Sequence, residues 1–188
     1  QDLRRAVDEL RPAGQVRVEP LDAPVIEGQH VVLRRLLEEQ GLEALTMRNL
    51  AAAMDIKAPS LYKHIKDREE IELLLTEVAF RELGAALAES SPDLGAMAGA
   101  YRGWALSNPA LYRIATSRAL DRENLPAGLE AGAEAPLLDS LGNSRDLARA
   151  CWAMAHGLVD LELNDRFPPG ADIDAAWARG VAAFSAQG

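Results

Sequence analysis

Apolar residues recur at three- and four-residue steps along almost the whole chain, and no segment shows the alternating β-branched pattern of a half-buried strand. That periodicity predicts an all-α fold. The 188 residues suffice for one large or two small domains with a real core, and a 48% hydrophobic content is that of an ordinary globular protein. No run approaches the roughly 18 apolar residues of a membrane-spanning helix, and the opening QDLRRAVDELRP lacks the apolar centre of a secretion signal. A cytoplasmic location is the expectation. The single cysteine, Cys151, sits in the apolar run ARACWAMAHGL and reads as a small buried hydrophobe.

Residues 1–24 hold a short amphipathic segment and the stretch PAGQVRVEPLDAP, which read as an N-terminal extension or linker with mixed charge rather than a basic arm. A helix is expected from about Ile26 to Gln40, stopped at Gly41. Thr46 suits the N-cap of a helix reaching Met54, Pro59 the first turn of the next, and Asp67 with Glu70 resembles a capping box opening a long helix to about Glu89. Further helical patterns cover about Leu94–Ser107, Pro109–Thr116, Ala127–Leu141, Ser144–Asp165 and Asp172–Ala186. These periods divide the chain into residues 25–75 and 76–188, with the boundary inside the long helix.

The net charge of −9 argues against nucleic acid if spread evenly, since phosphate binding is driven by cations that displace condensed counterions. It is not spread evenly. Between Ala44 and Arg68 five cations, Arg48, Lys57, Lys63, Lys66 and Arg68, stand against only Asp55 and Asp67. The same stretch, TMRNLAAAMDIKAPSLYKHI, has the spacing of a helix-turn-helix, in which small Ala51 lets two short helices approach and Leu50, Met54, Ile56, Leu61 and Ile65 bury between them. Thr46, Arg48, Lys57, Ser60, Tyr62, Lys63, His64, Lys66 and Arg68 are then available to phosphates and base edges. Asp55 falls in the turn and tolerates a left-handed conformation.

The segment LEALTMRNLAAAMDIKAPSLYKHIKDREEI resembles the TetR family of transcriptional regulators nearly residue for residue, with the Leu-Tyr-x-His piece its most telling part. The resemblance implies that the helix carrying Leu61, Tyr62 and His64 enters the major groove and that Arg68, usually lysine in the family, meets a phosphate. A second resemblance, over Tyr101 to Phe184, is to a regulatory domain found in a subset of TetR proteins and marked by a Trp-His-Gly signature, here Trp152, His156 and Gly157. It implies a small-molecule sensor. Phe80, Leu83, Met97, Tyr101, Trp104, Leu111, Tyr112, Trp152 and His156 are the candidate ligand contacts, although aromatic residues at helical spacing also build plain cores.

Small residues crowd the last two patterned helices, among them Ala150, Ala153, Gly157, Ala176 and Gly180, which suits close helix packing. Family members pair these helices into a homodimer, and a two-fold dimer presents two reading helices to a palindromic site. The expected function is therefore a repressor released from operator DNA by a ligand. An enzyme is disfavoured, because His30, His64 and His156 are far apart in sequence and neither a GxSxG elbow nor a GxxxxGK[ST] loop is present. No cofactor or metal is expected. A helical ligand-binding or adaptor protein that does not read DNA is the alternative.

Overall fold

The computed structural model describes residues 23–55, 61, 62 and 65–186, with side chains from residue 31 onward. The expected N-terminal extension lies outside these residues except at its end. So do Lys57, Ser60, Lys63 and His64, with the start of the helix expected at Pro59. Among the described residues all regular structure is helical. Helix α1 is Ala23–Gln40, followed by a 3-10 turn at Leu42–Ala44; α2 is Met47–Ala53, α3 Arg68–Ser90, α4 Leu94–Ser107, α5 Pro109–Thr116, α6 Leu129–Ser140, α7 Arg145–Leu163 and α8 Ile173–Ser185.

Side chains with oxygen acceptors start several of these helices. Thr46 caps α2 by accepting from the Asn49 amide at 3.2 Å, Asp93 caps α4 through the Ala96 amide at 2.8 Å, and Asp172 caps α8 through the Ala175 amide at 2.9 Å. At α3 the expected capping box is formed on one side only: Asp67 accepts from the Glu70 amide at 3.0 Å, while the Glu70 carboxylate reaches past it to the Lys66 amide at 2.7 Å. Asp55 has a φ of 53°, the left-handed conformation that closes the turn after α2.

Two large cores and a small one hold the helices. The first joins Val32, Leu33, Leu36 and Leu37 of α1 to Leu45, Leu50, Ala51, Leu61, Ile65 and the α3 residues Ile71, Leu75, Val78 and Ala79. Leu111 of α5 completes it, fully buried. The second gathers Leu87, Met97, Tyr101, Ala105, Tyr112, Ala155, Val159 and Trp177 from α3, α4, α5, α7 and α8. The third centres on Leu141, Ala148 and Cys151. Helix α3 runs through the first core and into the second, so a displacement of its far end is carried along one rigid rod.

That rod is held closely against α6. A Cβ at Gly84 would lie 3.1 Å from the Ala133 Cα, a backbone atom that can yield only if the helices separate. Gly84→Val is therefore expected to lower stability by about 1–3 kcal/mol, read as a lower denaturation midpoint with helicity retained in the folded state. A midpoint unchanged from the native protein would show that α3 and α6 do not need this approach.

Candidate nucleic-acid interface and sensor cavity

The interface candidates rest on the first core. With Leu50, Ala51, Leu61 and Ile65 buried, the polar neighbours are turned outward: Thr46, Arg48, Lys66 and Arg68 are exposed, and Tyr62 is 55% exposed despite its large ring. An aromatic ring left in water beside a fully buried leucine is a ready partner for a sugar or base. The Thr46 oxygen is used as a cap acceptor, but its hydroxyl proton still suits a phosphate oxygen. Arg68 is the first residue of α3, where backbone amides favour an anion, and its guanidinium is held by the Glu72 carboxylate at 3.0 Å. Arg118 holds the other oxygen of the same carboxylate. Glu72 thus orients Arg68 while competing for it, and a phosphate would have to share or displace that bond.

The nine candidate ligand contacts fall into separate groups. Met97, Tyr101 and Trp152 line a small apolar cavity of about 50 Å³ between α3, α4, α6, α7 and α8, whose remaining walls include Leu87, Leu94, Leu137, Cys151, Met154 and Val181. Tyr112 and His156 stand beside it, joined by a bond of 2.5 Å between the phenol oxygen and Nδ1. The Tyr112 hydroxyl lies 3.4 Å from that of Tyr101, and His156 stacks on Trp152 with ring centres 5.7 Å apart. Trp104 packs edge-on against Tyr112 at 6.5 Å, and Leu83 packs against the second core. Leu111 belongs to the first core, and Phe80 on α3 is partly buried away from the cavity walls. Tyr101, Tyr112, Trp152 and His156 gather at this cavity, but a tyrosine or tryptophan with a hydrogen-bond partner builds a strut as readily as a wall.

Burial pushes the Tyr101 and Tyr112 phenols up from their ordinary value and the Cys151 thiol likewise. All three are therefore neutral at pH 7. For Tyr112 the neighbouring Tyr101 adds to the effect of burial.

A polar ring that the sequence reading missed connects this region to α1. Arg34 donates through Nη2 to the Asn108 Oδ1 at 2.6 Å and pairs through Nη1 with Glu82 at 2.8 Å. Glu82 accepts from the Trp104 indole at 3.0 Å, and the Asn108 amide donates to the Trp104 carbonyl at 2.8 Å, which closes the ring. Asn108 is buried at the junction of α4 and α5, immediately before Pro109 at the first position of α5. The Asn-Pro pair is the one local signal that marks this corner. Nothing in helical periodicity says that Arg34, 74 residues away in the chain, will meet it.

Comparison with known proteins matches both halves. The family model described as bacterial regulatory proteins, tetR family, covers residues 32–73, and that described as tetracyclin repressor-like, C-terminal domain, covers residues 94–184. Among curated relatives, the uncharacterized HTH-type transcriptional regulator Rv0681 of Mycobacterium tuberculosis is 31% identical over 145 residues, spanning 68% of this chain and 65% of its own length. The chain thus spans just under two thirds of that relative. Among solved structures, apo ActR from Streptomyces coelicolor superposes with a TM-score of 0.65 at 20% identity, covering 91% of this chain and 98% of its own. A TetR variant from Acinetobacter baumannii AYE in complex with minocycline gives a TM-score of 0.62 at 20% identity, covering 89% and 96%. These two share the fold. Among the described residues, no helix is long and apolar enough to cross a membrane. With the N-terminal segment and the helical C-terminal domain each matched over their own residues, the chain belongs to the TetR family of bacterial regulatory proteins.

Proposed function

We propose that the chain is a cytoplasmic DNA-binding repressor that grips a palindromic operator as a homodimer and is released when a small molecule enters the cavity of its C-terminal domain. Residues 25–75 form the DNA-binding unit and residues 76–188 the ligand-binding and dimerisation unit. The observation that carries the release step is the ring of Arg34, Glu82, Trp104 and Asn108. The cavity wall Tyr101 touches Tyr112, Tyr112 packs on Trp104, and Trp104 holds the carboxylate that holds Arg34 of α1. A ligand that moves Tyr101 shifts the balance between two settings of α1 and α3, and with them the spacing of the two reading helices.

Arg34 and Glu82 are both partly exposed, so their pair contributes at most about 1 kcal/mol to stability. Its value lies in fixing geometry. Glu82→Gln is expected to leave the denaturation midpoint nearly unchanged, and Arg34→Met, which also takes the donor from the buried Asn108 Oδ1, to lower stability by about 1–3 kcal/mol. Both should nonetheless reduce the operator-affinity change caused by a releasing ligand, measured by fluorescence anisotropy. Full release in both variants would refute this route.

For the dimer, the support is a run of small exposed side chains on the outer faces of the last two helices, Ala150 and Ala153 on α7 and Ala178 and Ala182 on α8, beside the exposed Leu161. Ala153→Glu with Ala182→Glu is expected to give monomer in light scattering at micromolar concentration, where the native chain gives dimer. A native monomer would sink the palindrome as well.

A further inference from the structure

We infer that the cavity is built for a small, uncharged, predominantly apolar molecule, an inference that rests on reading the C-terminal domain as a sensor. The walls Leu87, Met97, Leu137, Trp152, Met154 and Tyr101 present no formal charge. The nearby arginines are committed elsewhere: Arg102 to Glu162 at 2.9 Å and to Asp174 at 2.6 Å while lying over the Trp177 ring, and Arg113 to the Leu163 carbonyl and Asn164, each at 3.2 Å. Glu162 also accepts from the Trp177 indole at 2.6 Å. An anion entering the cavity would find no arginine or lysine among its walls, and a cation no carboxylate, so either would lose its hydration with little return. Of the titratable groups beside the cavity, Tyr101, Tyr112 and Cys151 are kept neutral by burial, and His156 is engaged by the Tyr112 hydroxyl at 2.5 Å and stacked on Trp152.

Size follows from two methionines. The present 50 Å³ is well below the roughly 150 Å³ that admits a benzene ring, so a ligand enters only as side chains move aside. Met97 and Met154 are unbranched and flexible, and they are the walls that can yield. Met154 is packed over Gly180, where a Cβ would stand 2.7 Å from its sulfur. Swinging it away opens the cavity beside half-exposed Trp152, which gives an entry for one ring-sized molecule.

The test uses the full chain at pH 7 and two probes of one ring, 4-fluorophenol and 4-fluorobenzoate, followed by fluorine relaxation in NMR. The neutral probe is expected to bind about tenfold more tightly or better. Ala98→Leu, which fills the cavity from α4, should abolish that binding, with Val181→Phe as a second blocking variant from α8 if the first fails to fold. Equal or tighter binding of the benzoate, no binding of the phenol at millimolar concentration, or phenol binding unaltered in a folded blocking variant each overturns the inference. Phenol binding that is blocked as expected but leaves operator affinity unchanged supports the ligand class and counts against release, so the two readings separate.

Discussion

Replacing Lys63 and Arg68 together by alanine is expected to lower operator affinity by about 10- to 100-fold at near-physiological salt, and to flatten the dependence on salt by roughly 0.9 in log–log slope for each phosphate contact removed. In a dimer the change in slope should approach about 3 to 4. Helicity and dimerisation should persist, because Arg68 is exposed and its pair with Glu72 is an i, i+4 surface contact of small energetic value. Anisotropy titrations at several salt concentrations, with light scattering alongside, read both quantities. Affinity and slope equal to the native values would show that this basic stretch does not carry the DNA. The acidic remainder of the chain makes that outcome hard to accommodate, since no stretch of similar length elsewhere in the chain holds five cations.

The second large effect concerns Leu111. It belongs to α5 in sequence, yet its side chain is fully buried in the core formed by α1, α2 and α3. Leu111→Ala is expected to lower unfolding stability by about 2–5 kcal/mol, the lost transfer energy plus a cavity that rigid helices close poorly. Because the residue ties the C-terminal half to the DNA-binding core, the loss should fall on both halves in one cooperative transition in urea. It should also weaken operator binding by loosening α3 against α1. A loss below about 1 kcal/mol would mean that the site collapses around the smaller side chain and that the two halves are joined less firmly than the buried contact implies.

The all-α architecture was legible because it rests on local chemistry. Leu94–Ser107 and Pro109–Thr116 are helices at the residues expected, and Thr46, Asp67 and Asp55 take their expected parts in caps and a turn. Each of these is decided within a few residues. Helix α6 begins at Leu129 and α7 at Arg145, shifts of one or two residues that fraying ends ordinarily produce.

Placement across the chain was much less legible. Periodicity states that Leu111 is buried but not in which core, and the aromatic content marks Trp104, Tyr112 and His156 without saying whether they line a space or brace it. They brace it, because each of the three polar tips meets a hydrogen-bonding group: Glu82 for the indole, and Tyr112 and His156 for one another. Beside Met97, Tyr101 and Trp152, the cavity walls come from Leu87, Leu137, Met154 and Val181, residues with no individual signal in the sequence. Arg34 and Asn108 were invisible for the same reason. An exposed-looking arginine on an amphipathic helix and an asparagine before a proline acquire meaning only when the fold brings them to 2.6 Å.

The most direct test of the central claim is selection of bound sequences from a random duplex DNA pool by the native chain at near-physiological salt, where non-specific phosphate binding is suppressed. The account predicts enrichment of one motif with two-fold symmetry, its half-sites about one helical turn or a multiple apart, bound by a dimer. No enriched sequence, with a folded dimer confirmed in the same preparation and none recovered when 4-fluorophenol is added, would contradict it and leave a TetR-like scaffold turned to binding ligand or protein instead.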